Sequence, residues 1–370
     1  MKIQSLTYRN KKTGWNVKDL SMNALTLLVG ASGVGKTQIL RAIMDLSNIV
    51  KGKSSNGIEW SVSFKQDGVS YLWEGAFTTM AEGPADLMHR NAPVPVEYER
   101  VFRINGKKDV LIERDREVLR LNGKATVKLE PEKSAIALLR EEPDIAPIYR
   151  GFRQIYTVKS QNSGIRISPI RVADDTTIRD ADVVRSMPNL TMVEQLFLLY
   201  KHNLSEFDDI KQRFVDIFPF VEDVSFTMAR FFDDTSFPML LIKEKGVEEW
   251  ISQDYISSGM FSTLSHLTAL TLAHDGDVIL VDEFENSLGV NCIEDVAEMV
   301  LYPERDLQFI ITSHHPYVIN NIDYGRWKIV TRRGSDVTVH TADELRLGNH
   351  SKHDAFMQLI QTEAFKTGRL

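Results

Sequence analysis

The sequence predicts an α/β fold with a mixed core sheet, an antiparallel β subdomain and an inserted helical subdomain. Three observations carry that prediction. Residues 30 to 37, Gly-Ala-Ser-Gly-Val-Gly-Lys-Thr, form a glycine-rich turn between an apolar run at Leu25 to Val29 and a helix-like stretch at Thr37 to Ile49. A second apolar run, Asp277-Val278-Ile279-Leu280-Val281-Asp282-Glu283, ends in two carboxylates, as suits a strand buried on both faces of a parallel sheet. Between them lie short strand-like runs parted by turn pairs, followed by amphipathic helices.

Element by element, the chain opens with two strands, the second containing Trp15-Asn16-Val17, and then the buried Leu25 to Val29 run. The turn that follows fits G-x-x-x-x-G-K-[ST] at every fixed position. Glycines there let successive N–H groups face phosphates, so Gly30, Ala31, Ser32, Gly33, Val34, Gly35, Lys36, Thr37 and Gln38 are the expected nucleotide contacts. Lys36 would reach the terminal phosphates and Thr37 would offer its hydroxyl to Mg2+. Leu40, Ile43 and Met44 share one face of the helix behind the loop.

From about Gly57 to Leu129, the runs Ile58 to Phe64, Val69 to Trp73 and Val110 to Ile112 alternate with turn pairs Asp67-Gly68 and Asn105-Gly106, which predicts antiparallel hairpins. Lys133 to Val158 reads as helical, and Ser160 to Asp175 as a turn-rich arm. Helices are expected over Thr191 to Asn203 and Ser205 to Phe218, the latter with Ser205 as N-cap. Strands at Val221 to Phe231 and Met239 to Lys243 precede a helix over Ser258 to Ala273. Asn291 would cap a helix whose Ile293, Val296, Ala297, Val300 and Leu301 form a core stripe. Phe309 to Thr312 is another buried strand, ending at Ser313-His314-His315-Pro316, and Trp327 to Arg332 with Val337 to His340 flank Gly334 as a closing hairpin.

Composition narrows the class. The chain has 370 residues, 43% of them hydrophobic, and 44 basic against 51 acidic side chains give a net charge of -7. That balance argues against broad non-specific attraction to nucleic acid. No run approaches the roughly 18 apolar residues of a membrane span, and Met1 to Ser5 reads as a polar strand start, so a cytoplasmic, membrane-free protein is expected. The lone Cys292 reads as a small buried residue.

Hydrolysis of a terminal phosphate requires charge neutralisation, a held metal and a positioned water. Thr37 and Asp282 are the candidate Mg2+ ligands. Glu283 would orient or deprotonate the water, and His314, at a neighbouring strand end, would touch the γ-phosphate or that water, with His315 next in line. No nucleophile-elbow sequence accompanies the Ser-His pair. Ile256-Ser257-Ser258-Gly259-Met260 starts a helix and offers a second anion site; a plain helix cap accounts for it equally.

Taken in order, Gly30 to Thr37 (Walker A), Ile256 to Met260 (signature), Val278 to Glu283 (Walker B), Glu285-Asn286-Ser287-Leu288 (D-loop) and Thr312-Ser313-His314 (switch histidine) resemble the ATP-binding-cassette (ABC) ATPases. Walker A and Walker B stand roughly 250 residues apart. Ser-Ser-Gly-Met, Asp-Glu-Phe-Glu-Asn-Ser-Leu and Thr-Ser-His-His-Pro look like the soluble branch related to the overcoming-lysogenization-defect (OLD) ATPases, many of which serve antiphage defence. The resemblance implies an ABC-type phosphate-loop ATPase head that binds ATP and Mg2+, with Ser257, Ser258 and Gly259 meeting the nucleotide of a second copy in a homodimer or higher oligomer. Ser258 replaces the transporters' usual glycine and Met260 their frequent glutamine. Gln154 and Gln161 both stand for the Q-loop, and Tyr8 and Trp15 for the adenine-stacking aromatic.

The implied organisation is an ATPase core with antiparallel β subdomain over 1–130 and a helical insertion over 131–255. Signature helix, Walker B, D-loop and switch histidine fill 256–345, and a C-terminal helical tail spans 346–370. About fifty-five residues follow His314, too few for the Toprim nuclease domain fused in some relatives. A separately encoded effector, such as a Toprim-type nuclease, is the partner this implies. The alternative is a DNA-repair or chromosome-maintenance ATPase that clamps DNA, although no sustained heptads occur and Lys107, Lys108, Arg114 and Arg116 read as a solvated face.

Overall fold

Period-two burial along Ile58–Gln66, where alternate residues face inward, is the local signature of an antiparallel strand with one face on the core. The computed structural model describes residues 1–80, 93–126, 130–158, 178–187, 190–230, 236–286, 288–348 and 351–369. Gln161, Ser287 and the whole of the expected arm at 160–175 lie outside them. The chain divides into two units. A sheet unit comprises Met1–Thr157, Asp275–Glu283 and Asp306–Leu370, and a helical unit comprises Val158–His274 and Phe284–Arg305.

The strands are β1 (Lys2–Asn10), β2 (Asn16–Ser21), β3 (Leu25–Val29), β4 (Ile58–Gln66), β5 (Val69–Phe77), β6 (Val96–Asn105), β7 (Lys107–Arg114), β8 (Leu119–Leu121), β9 (Lys124–Ala125) and β10 (Ile155–Val158). They continue as β11 (Val221–Arg230), β12 (Ser236–Glu244), β13 (Ile251–Ser252), β14 (Val278–Val281), β15 (Gln308–Thr312), β16 (Trp327–Arg333) and β17 (Asp336–Thr341). One mixed sheet has the order β10-β14-β15-β3-β16-β17-β2-β1-β4-β5-β6-β7-β8-β9. At its centre β14, β15, β3 and β16 run parallel, and every residue of β14, β15 and β3 is buried. That burial explains their unbroken apolar runs. From β1 through β4 to β9 all pairings are antiparallel, with Asp67-Gly68 and Asn105-Gly106 at hairpin turns as expected.

An aromatic cluster holds the antiparallel half. Trp60 and Trp73 meet edge to face at 5.1 Å, and Phe152 packs on Trp73 and on Phe64 at 5.0 Å each. Truncating such a fully buried ring costs about 3–5 kcal/mol. Beside it the buried Glu99 carboxylate accepts from Trp73 Nε1 (2.9 Å), Ser134 Oγ (2.6 Å) and Ala135 N (2.6 Å), while burial pushes its pKa up. Arg114, expected on a solvated face, is 6% exposed and donates to the carbonyls of Glu130, Pro131 and Lys133. A guanidinium with its donors satisfied by backbone oxygens can be buried where periodicity alone predicts a surface charge.

The helical unit carries the three-stranded sheet β11-β12-β13 and the helices Ala181–Ser186, Met192–Lys201, Ser205–Ile217, Ser258–Thr271 and Val290–Leu301. Thr191 and Glu194 form a reciprocal capping box. Three expectations change. The 133–158 region holds two short helices, Ala135–Leu138 and Ala146–Arg153, and then strand β10, because Ile155 to Val158 joins the sheet edge. Leu204 takes the cap position in place of Ser205, and Gly289 takes it in place of Asn291, neither with a side-chain bond. Helix ends read from sequence shift by a residue or two because the terminal turns hold few intrahelical bonds and fray.

Candidate functional site

Parallel register brings three strand ends together in the sheet unit. Val281 of β14 pairs with Ile311 of β15, and Thr312 of β15 pairs with Leu28 of β3. The residues that follow these strands, Asp282-Glu283, Ser313-His314 and the Gly30 loop, therefore emerge at one edge, where parallel sheets present ligand sites.

The loop is shaped by close contacts. Gly30 has φ 146°, and a Cβ there would strike the Val330 carbonyl oxygen. Gly35 has φ 109°, and a Cβ there would lie 3.1 Å from Trp15 Nε1 and 3.2 Å from Val337 Cγ2. Both positions need glycine for backbone angle and for space. Lys36, the first residue of the helix Lys36–Val50, is 7% exposed and donates from Nζ to the carbonyls of Gly30 and Ala31, each at 2.9 Å. Its ammonium is thereby held within the curl of the loop.

Asp282 is the hub. Its Oδ1 accepts from Thr37 Oγ1 at 3.1 Å and from Thr312 Oγ1 at 2.8 Å. Thr312 in turn accepts from the Glu283 backbone N–H at 2.6 Å. Thr312 is the hydroxyl that closes the apolar run Phe309 to Ile311, and strand pairing is what brings it to Asp282 and to the Glu283 amide. Glu283 is exposed and has φ 49°, a left-handed conformation that costs a non-glycine residue about 1 kcal/mol or more. Thr37 and Asp282 present adjacent hard oxygens, the donor type that Mg2+ prefers alongside waters and phosphates. Among the described residues no group of three or more His, Cys, Asp or Glu could hold a metal by itself. The donor set thus fits a cation shared with a phosphate ligand.

His314 is half-buried just past β15. His315 is engaged in structure: its Nδ1 accepts from Tyr317 N at 3.3 Å and caps the helix Pro316–Asn321. Tyr8 and Trp15 are 4% and 7% exposed, packed edge to face at 5.8 Å, with the Tyr8 hydroxyl donating to Asp45 at 2.6 Å. Neither offers a face to a base; Trp15 instead lies against Gly35. Gln154 is also excluded from the Q-loop position by its place in the sheet. Its carbonyl accepts from Val278 N, at the start of β14, about 13 Å of strand from Asp282.

In the helical unit Ser257 caps the helix Ser258–Thr271, its Oγ accepting from Met260 N at 3.2 Å. Ser258 and Gly259 form the first turn. Deeper in, Thr263, Ser265 and Thr268 bond back to carbonyls one turn earlier, so their hydroxyls are satisfied while buried. His266 Nδ1 pairs with the Ser262 carbonyl at 2.8 Å and its ring meets Phe284 at 5.6 Å; burial pushes its pKa down.

The family described as AAA domain, putative AbiEii toxin, Type IV TA system matches residues 25–320. No curated protein sequence matches the chain. Among solved structures, an SMC head bound to the C-winged helix domain of ScpA is similar at 13% identity and TM-score 0.50, covering 92% of this chain and 97% of that one. An Smc head domain with an extended coiled coil, bound to the C-terminal domain of ScpA derived from Pyrococcus furiosus, gives 15% identity, coverage of 93% and 98%, and TM-score 0.47. An SMC head domain from Thermotoga maritima gives 14%, coverage of 92% and 99%, and TM-score 0.38. The first of these shows the fold, an α/β head with a large mixed sheet.

Proposed function

The chain belongs to this family of AAA domains, and from that premise we propose that it is an ATP-binding and ATP-hydrolysing switch of the OLD-like branch. It closes with a second copy around nucleotide and controls a separately encoded effector in antiphage defence. One observation carries the nucleotide reading: Thr37 and Asp282, 245 residues apart, meet at 3.1 Å beside a loop with the phosphate-binding sequence. Lys36 and the loop amides neutralise the phosphates. Thr37 and Asp282 would hold Mg2+, which supplies further charge neutralisation at the phosphate oxygens. Glu283, held by Thr312 and turned by its left-handed backbone, orients the attacking water and takes up its proton; His314 steadies the water or the terminal phosphate. Ser257, Ser258 and Gly259 complete the site on the partner copy.

The family description, with its toxin and TA system, supports a defence role; the effector, a Toprim-type nuclease or another toxic activity, is assigned by that analogy. Glu283→Gln tests the chemistry. It should retain ATP and accumulate the closed assembly while hydrolysis falls about 100-fold or more. Hydrolysis at the unmodified rate would remove Glu283 from its role. The second reading, a DNA-clamping chromosome-maintenance ATPase, draws on the SMC-like fold and on exposed Lys107 and Lys108, although Arg116 pairs with Glu97. A salt-dependent shift of duplex DNA with a non-hydrolysed ATP analogue would favour it.

A further inference from the structure

Residues 351–369 lie outside the family match, yet the end of this segment, at Gly368, comes up against the phosphate loop. The helices Lys352–Gln361 and Glu363–Thr367 lead to Gly368, which caps the second with φ 74°. At that angle glycine is favoured, and space demands it as well: a Cβ on Gly368 would strike Val34 Cγ1 and lie 3.5 Å from Ala31 Cβ. Ala31 and Val34 are variable positions of the phosphate-loop pattern.

Arg332, next to last in β16, joins the two segments. Its backbone N–H donates to the Gly368 carbonyl at 2.8 Å. Its guanidinium donates to the Gly33 carbonyl at 3.3 Å and to the Gly334 carbonyl at 2.6 Å. One residue therefore fixes the 351–369 segment with its main chain and the middle of the phosphate loop with its side chain.

A phosphate loop binds only when its amides converge, and ordering a loose loop costs conformational entropy at every residue. Contacts that hold the bend beforehand lower that cost and raise affinity. We propose that Arg332 and Gly368 are positioning residues for the nucleotide site. Docking of the 351–369 segment on Ala31 and Val34 keeps the loop in its binding shape, and undocking weakens ATP binding. The segment is thus a handle through which a partner can set nucleotide occupancy. The inference rests on residues 30–37 being the ATP site. Linkage makes it reciprocal: if docking tightens ATP, then ATP must tighten docking by the same factor.

The experiment uses the full chain and MgATP, with affinity read by titration calorimetry and amide exchange followed over 363–369. Gly368→Val should raise the ATP Kd about tenfold, and Arg332→Ala, at an exposed position that tolerates truncation, about threefold. Adding Val34→Ala to Gly368→Val should recover part of the loss, because it removes the methyls that Gly368 abuts. MgATP should slow exchange at 363–369 in the unaltered chain and less so in Arg332→Ala, a response that a purely structural contact would not give. Unchanged Kd in both variants, with no ATP-dependent protection, overturns the inference while leaving the site intact. An unaltered chain that takes up no ATP overturns the site and this inference together.

Discussion

The sheet unit and the helical unit assemble their candidate site groups in opposite ways. In the sheet unit, Thr37, Asp282 and Thr312 come from three separated stretches of chain and meet only because β3, β15 and β14 lie side by side in parallel register. In the helical unit, Ser257, Ser258 and Gly259 are consecutive, and a local helix cap already accounts for the first of them. A hydroxyl and a carboxylate brought together beside a phosphate-loop sequence form a specific combination, whereas a capped helix start is common. The Asp282 hub therefore weighs more than the Ser257 turn in identifying a site.

The two units should separate most sharply under substitution. Lys36→Ala removes the ammonium held by Gly30 and Ala31 and should weaken ATP binding at least about 100-fold by calorimetry. Ser257→Arg should leave binding close to its original value and abolish hydrolysis. Mixing those two variants should restore activity, since under the proposed closure each mixed pair would retain one intact composite site. If the mixture stays inactive, the helical unit has no role across the dimer.

A smaller effect distinguishes the units by pH. His266 in the helical unit has its pKa pushed down from 6.5 by burial, so the unfolded chain binds the extra proton first. Its contribution to stability is complete above pH 6.5 and is lost as pH falls below that value. Glu99 in the sheet unit is pushed up from 4.5 by burial, so the folded chain keeps its proton longer. Its contribution is complete below pH 4.5 and is lost as pH rises towards the folded value. Variants retaining only Trp250, in the helical unit, or only Trp73, bonded to Glu99, would report the two separately by fluorescence during urea unfolding. His266→Phe should flatten the acid slope seen at Trp250; an unchanged slope would assign it to another group.

The smallest expected effect is a local one. Thr191→Ala breaks the capping box of Met192–Lys201 and should destabilise the helical unit by about 1 kcal/mol, with ATP affinity unaltered. A loss of ATP affinity equal to that of Lys36→Ala would show that the units do not act as separate bodies.

Much of both units was legible in the sequence. Apolar runs marked β3, β14 and β15, Asp67-Gly68 and Asn105-Gly106 marked hairpins, and Thr191 to Asn203 marked a helix that the structure places at Met192–Lys201. Errors arose where partners distant in sequence decide the outcome. Ile155–Val158 became a strand because a sheet edge lay open to it, and Arg114 was buried because three carbonyls converge on it. Tyr8 and Trp15 stand at sequence positions that suit stacking on a base but are buried against each other, with Trp15 also lying against Gly35.

The sequence by itself determined the chemistry on offer: a glycine-rich loop with Lys36 and Thr37, a strand ending in Asp282 and Glu283, and a helix opened by Ser257. Residue type and near-neighbour spacing suffice for that, because loops, strands and caps are set by local backbone preference. Only the tertiary structure decided which groups meet. Thr312 orienting Asp282, Trp15 lying against Gly35, and Gly368 resting on Val34 all depend on strand order and register, which fix distances between residues that the chain itself leaves far apart.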